Sequence, residues 1–314
     1  RNHSSAASDV YKRQEEVVSW DGQRLNAYAR GEQDQPAVMF INAYGMPLQF
    51  TVPISRTISK HYRFLTWDSR WVPDTTQAFE EDKCDSLTHV KDMLAVLDQF
   101  GIEQCALVGW SSGAQVCLRA LREYPDRFSC GVLLNSGVSL TADDIEETDY
   151  QQSLRSLFPK MAKTRAAAKL YCDLIYGDTT KVGLKDQGSI GTMLNSLDPE
   201  LMNMTSAPFK DPESLYRYAN MLYRNFEEPE DAYTGDIQHD VLVYGSEEDE
   251  VTHITVARGL AARLANAELQ VSKDATHFAQ YTDQEVGDMV VEFVSKHLPL
   301  QSISSEDKVH VSRS

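Results

Sequence analysis

The chain has 314 residues, enough for one large α/β domain or two small ones with a sizeable core. Its formal net charge of −17 argues against nucleic acid or an anionic membrane surface as partner, because phosphates would repel it. No run of 18 or more apolar residues exists, so no membrane span is expected.

Residues 1–14 look unlike the rest of the chain: there is no initiator methionine and no apolar signal-peptide core, and the stretch is set aside as a non-native or disordered tail. From residue 15 the pattern becomes regular. Val17-Val-Ser-Trp20 and Arg24-Leu-Asn-Ala-Tyr-Ala29 read as two strands joined at Asp21-Gly22. The apolar runs 36–41 and 62–67 have the continuous character of strands buried on both faces. Helical spacing of Leu87, Val90, Leu94 and Leu97 predicts a helix over 86–100, stopped by Gly101. Two more buried strands are expected at 106–108 and 130–135, with a helix between them. Alternation of this kind implies a parallel sheet with right-handed crossovers.

Between 136 and 236 the alternation lapses. Residues 153–176 and 212–226 look helical, with loops near 183–191, which reads as a helical cap inserted after the sixth strand. Met193, Met202, Met204 and Met221 and the aromatics Phe209, Tyr216, Tyr218, Tyr223 and Phe226 either pack as the core of a small helical layer or line a pocket roof. Strands return at 240–245 and 268–271, with helices at 256–264 and 283–298, and the polar tail 299–314 is expected to be mobile. The fold expected is therefore a mostly parallel α/β sheet flanked by helices, with its core in 15–135 and 237–298 and its cap in 136–236.

Chemistry concentrates at Gly109-Trp110-Ser111-Ser112-Gly113, which follows a short apolar run and opens a helical segment. Strand, sharp turn and helix in that order form the nucleophile elbow G-x-S-x-G. Flanking side chains would collide with the neighbouring strand and helix, and the strained turn lifts the serine hydroxyl clear of the sheet. A serine needs a base, and the base needs an orienting carboxylate. Both occur later, in the expected order and after their own strands. Gly245-Ser-Glu-Glu-Asp249-Glu-Val-Thr-His253 follows one strand, and Asp274-Ala-Thr-His277-Phe278 follows the next.

On these residues the chain, from about Val17 to Leu298, resembles the α/β-hydrolase superfamily. The resemblance implies Ser111 as nucleophile, His277 as general base and then acid, and Asp249 as its orienter, with Glu247 and Glu248 as competitors for the acid. It implies an oxyanion hole made by the Ser112 N–H and the Tyr44 N–H, although Asn42-Ala43-Tyr44-Gly45 stands where these hydrolases usually have His-Gly-X. A second departure is Trp71, which replaces the glycine of the usual Asp-x-Arg-Gly after Asp68. Asn42 and Trp110 are candidates to contact substrate, with simple packing as the alternative for Trp110. His253, directly after the acid loop, is the nearest rival to His277 for the base, and His239 reads as structural.

No cofactor or metal is expected, since the histidines are dispersed and no Cys/His cluster appears. Five scattered cysteines without a C-x-x-C pair read as reduced core thiols of a cytoplasmic protein, a monomer or homodimer. The expected activity is cleavage of a small-molecule ester or thioester through an acyl-serine. The alternatives are a biosynthetic acyltransferase or thioesterase on the same fold, or a non-catalytic binding protein.

Overall fold

Eight strands among the described residues form a single sheet: β1 (Arg13–Val18), β2 (Arg24–Arg30), β3 (Ala37–Ile41), β4 (Arg63–Trp67), β5 (Cys105–Trp110), β6 (Phe128–Leu134), β7 (Val241–Ser246) and β8 (Ala267–Ser272). Their order across the sheet is β1-β2-β4-β3-β5-β6-β7-β8. Only β2 runs against its neighbours, β1 and β4; every other pairing is parallel. The parallel strands thus deliver their carboxyl ends to one edge, where an α/β sheet carries its chemistry. The computed structural model describes residues 11, 13–72, 74–176 and 189–299. Residues 1–10, most of the loop expected near 183–191 and the tail from 300 lie outside them.

Strands β3 to β7 read as unbroken apolar runs because helices cover both faces, and nearly all of their residues are buried. Edge strand β8 mixes half-buried and exposed residues. The first strand begins earlier than its sequence suggests. Arg13 and Gln14, expected in the tail, open β1 opposite Ala29 and Tyr28, because β2 is long enough to offer them partners. Tyr11 is buried as well and its hydroxyl hydrogen-bonds Thr51.

Between β6 and β7 the described residues are mostly helical. The expected helix over 153–176 is two, Asp149–Met161 and Arg165–Tyr176. Thr148 closes a capping box with Gln151 at the start of the first, and the Thr164 hydroxyl accepts the Ala167 N–H at the start of the second, so each has its own N-terminus. Two short helices, Ser189–Ser196 and Pro199–Thr205, precede Pro212–Glu227, which Asp211 caps through the Ser214 N–H. Just beyond it, Glu228 accepts hydrogen bonds from Ser86 and from Gln115 Nε2, which ties the insertion to two helices of the core.

Candidate active site

The elbow sits at the carboxyl end of β5, in the middle of the sheet. Ser111 has φ 53°, a left-handed backbone that a residue with a side chain adopts only when its surroundings impose it. The imposition is visible. Its N–H donates to Leu134 O at 2.9 Å, and its carbonyl accepts from Ala114 N at 3.0 Å and from Gly137 N at 2.9 Å. A Cβ on Gly109 would lie 2.6 Å from Gly113 O, and one on Gly113 would lie 2.2 Å from Ile41 O. Both glycines are therefore required by close approach, the first to the start of helix Gly113–Glu123 and the second to the end of β3. Such a backbone stores about 1–3 kcal/mol of strain.

The loop after β7 carries the acid. Asp249 is buried and fully bonded: its Oδ1 accepts from the N–H groups of Val251 and Thr252, each at 2.8 Å. Its Oδ2 accepts from Thr252 Oγ1 and Asn135 Nδ2 at 2.8 Å, and lies 2.9 Å from His277 Nδ1. Burial alone would raise the Asp249 carboxyl. The charge of His277 beside it, with these hydrogen bonds, outweighs burial and holds it below the usual carboxylate range. Asp249 is the acid brought to His277; Glu247 faces solvent and pairs with Arg258 at 3.2 Å, and Glu248 is exposed. His253 instead caps helix Ile254–Arg263 through Thr255, and His239 is bonded to Pro125 O at 2.9 Å.

The loop after β3 departs from expectation at two residues. The Tyr44 N–H donates to Ser112 Oγ at 2.9 Å, so in the free protein it is not open to an incoming oxygen. Asn42, a candidate for substrate contact, braces its own loop: its Nδ2 donates to Met46 O at 3.0 Å and its Oδ1 accepts the Ala43 N–H at 3.0 Å. It is not among the residues lining the cavity. The loop is also held from outside, since Gly45 N donates to Ser69 Oγ at 3.1 Å. Two residues on, Trp71 occupies the expected glycine position with φ 75° while almost wholly buried. Its Nε1 donates to Lys83 O, Phe79 packs edge-on at 5.3 Å, and the Arg70 guanidinium lies over its ring.

Ser111, Ser112 and His277 line one cavity with apolar walls that include Met46, Trp110 and Phe278. Trp110 both faces this space and braces the site, because its Nε1 donates to His277 O at 2.9 Å. Of the methionines and aromatics singled out in the insertion's sequence, Met193, Tyr218 and Phe226 line the cavity, whereas Met221 and Phe209 are wholly buried in packing. Among the described residues no helix is long and apolar enough to cross a membrane, and no group of three His, Cys, Asp or Glu residues could hold a metal ion.

Two residues of the site escape a reading of the sequence. Asn135, just past β6, takes φ 44° and turns its amide onto both Asp249 and Ser246 Oγ. A strand ending in Asn was the available signal, since Asn tolerates the left-handed region better than most residues. Gly137 has no local signal. Its importance comes from the β5–β6 pairing, which sets it against the elbow so that a Cβ there would lie 3.0 Å from Ser112 N and 3.1 Å from Ser111 Oγ.

The overall fold has many solved counterparts. A hydrolase from Pseudomonas aeruginosa PA01 superposes with a TM-score of 0.66 at 18% identity, covering 90% of this chain and 98% of its own. An esterase from Rhodococcus sp. ECU1013 gives 0.66 at 16% identity, over 90% and 99%. A thermophilic esterase from Thermogutta terrifontis gives 0.65 at 15%, over 91% and 99%. No curated protein matches the chain in sequence. The family model described as the alpha/beta hydrolase fold matches residues 36–284, most of the chain, and the chain belongs to that family.

Proposed function

We propose that the protein is a serine hydrolase that cleaves an ester or thioester through an acyl-serine intermediate, with no cofactor. Membership of a hydrolase family supports hydrolysis as the reaction class. The observation that carries the finer reading is the Asp249–His277 pair at 2.9 Å, opening onto the same cavity as the strained Ser111. In this reading Ser111 attacks the carbonyl, and His277 takes its proton and returns it to the leaving oxygen or sulfur. Asp249, kept ionised, fixes the imidazole tautomer with Nδ1 protonated and stabilises the imidazolium. Water then repeats the cycle on the acyl-serine.

The negative oxygen of the tetrahedral intermediate is held by the Ser112 N–H, at the open N-terminus of helix Gly113–Glu123. The second contact is the Ser112 hydroxyl, which accepts from the Tyr44 N–H and is free to turn its own proton to the oxygen. Each such donor contributes on the order of 3 kcal/mol to the transition state. The helical insertion acts as a cap that supplies part of the cavity wall, and the five buried, free cysteines fit a reducing compartment such as the cytoplasm.

Covalent labelling by a fluorophosphonate, run alongside turnover of p-nitrophenyl acetate and butyrate, tests this. Wild type labels and turns over while Ser111→Ala does neither; absence of labelling in wild type overturns the enzyme and leaves a binding protein. Asp249→Asn loses most of its turnover while Glu248→Gln keeps it, and the reverse result reassigns the acid.

A further inference from the structure

Three residues of the helical insertion that carry hydroxyls line the same cavity as Ser111, and none of these hydroxyls has a hydrogen-bond partner among the described residues. They are Tyr150, on helix Asp149–Met161, Tyr218, on helix Pro212–Glu227, and Thr205, at the end of helix Pro199–Thr205. The three residues are only 5%, 6% and 5% exposed. Thr205 Oγ1 is itself fully buried without a partner. Tyr28 and Tyr233, by contrast, donate to Asp68 and to Ser139 O, while the Tyr44 hydroxyl, away from this cavity, is also buried without a partner. Buried polar groups are normally bonded. Hydroxyls without a protein partner, gathered on residues around one cavity, are placed to bond a ligand there.

Their chemistry narrows the ligand. Burial holds both the Tyr218 and the Tyr150 phenols above their usual value, so both stay protonated donors. The guanidinium at this cavity, Arg155, is already paired with Glu147 at 2.7 Å and donates to Ser139 Oγ. A carboxylate or phosphate on the substrate would meet Glu147 beside that guanidinium and enter a chain of net charge −17. An uncharged acceptor meets no such opposition.

We infer that the substrate carries a second, uncharged oxygen acceptor, such as a ketone, an ether or an amide carbonyl, apart from the scissile carbonyl, and that the hydroxyls of Tyr150, Tyr218 and Thr205 hold it. The inference rests on the reading of Ser111 as nucleophile, and it sets the substrate apart from a plain alkanoyl ester.

Matched esters that differ by one oxo group test it. On the acyl side, p-nitrophenyl 4-oxopentanoate is compared with the pentanoate and 5-oxohexanoate with the hexanoate. On the alcohol side, 3-oxobutyl acetate is compared with butyl acetate. The quantity read is the ratio of kcat/KM within each pair. Wild type favours at least one oxo ester by about tenfold or more, the effect of one well-made hydrogen bond. That ratio falls towards one in Tyr150→Phe, Tyr218→Phe or Thr205→Val. Lack of preference in every pair, or a preference that survives all three substitutions, overturns the inference. Calorimetric binding of ethyl 4-oxopentanoate, ethyl pentanoate and the two acetates to Ser111→Ala separates it from the hydrolase reading. Oxo-selective binding that Tyr150→Phe or Tyr218→Phe abolishes sustains the inference even if wild type hydrolyses nothing. Equal binding, or none, overturns it whatever the fate of the hydrolase.

Discussion

The side-chain amide of Asn135 donates to Asp249 Oδ2 at 2.8 Å, and it reaches that oxygen because its own backbone stands at φ 44° just beyond β6. The neighbouring strand thus sets the carboxylate's orientation, and through it the orientation of the His277 ring. We expect Asn135→Gly, which tolerates the backbone but lacks the amide, to lower kcat/KM for p-nitrophenyl acetate about tenfold, the worth of one hydrogen bond to a charged group. Asn135→Asp places a second carboxylate against Asp249 and raises the affinity of the pair for a proton. Its loss is larger and its acid limb moves to higher pH. If both variants match wild type across the pH range, Asn135 has no hand in positioning the acid.

Gly137 bears on the other side of the site. A methyl group there would sit 3.0 Å from Ser112 N and 3.1 Å from Ser111 Oγ, the space a reacting carbonyl must enter to be both attacked and held. Gly137→Ala is expected to cut both kcat and the rate of fluorophosphonate labelling by about 100-fold or more, while its melting temperature stays within a few degrees of wild type. Unchanged labelling would mean that the carbonyl approaches from elsewhere.

These two residues mark the limit of what was legible in the sequence. The elbow, Asp249 and His277 announce themselves because each depends on its own strand and the turn after it, so spacing along the chain carries the information. The sheet of alternating strands and helices was legible for the same reason. The hydrogen bonds of Asn42 and Tyr44 were not legible, because the partners of their polar groups are chosen in space. The Tyr44 N–H meets the Ser112 hydroxyl across 68 positions, and the Asn42 amide turns back on Met46 O instead of facing the cavity. Trp71 broke a glycine pattern without breaking the backbone, since Phe79, Lys83 and Arg70 surround the indole and offset a strained φ. The split at 162–164 was hidden by a nearly continuous helical pattern and shows only in the caps.

His89 gives the fold a pH dependence of known sign. Its ring is stacked on Tyr44 at 4.5 Å, both nitrogens are buried without partners, and burial pushes its pKa down to about 3, with Arg70 adding to the effect. An unfolded chain protonates this histidine near ~6.5. The stability at stake is therefore complete above ~6.5 and is lost as pH falls towards 3, at about 1.4 kcal/mol per pH unit. At about pH 5 the loss is roughly 2 kcal/mol. His89→Phe keeps an aromatic ring against Tyr44 and removes the proton site. Urea unfolding at about pH 7.5 and pH 5 should show a smaller decline for the variant than for wild type. Equal declines would place the titration on other groups.

The hydrogen bond from Tyr44 N–H to Ser112 Oγ leads to the sharpest test of the oxyanion hole. If the hydroxyl relays that N–H, Ser112→Ala removes a donor made only to the transition state. kcat should then fall by roughly 10²-fold while KM for p-nitrophenyl butyrate stays close to wild type. The same change frees the Tyr44 N–H, so a variant that keeps full kcat would assign the second contact to Tyr44 directly and the hydroxyl to simple packing. Ser112→Thr separates a relay from lost packing, because it keeps the hydroxyl and adds a methyl group. Recovery of kcat towards wild type in the threonine variant, with the alanine variant low, is the pattern expected of a relayed donor. The opposite order, alanine active and threonine impaired, would show that the side chain at 112 matters only for its bulk.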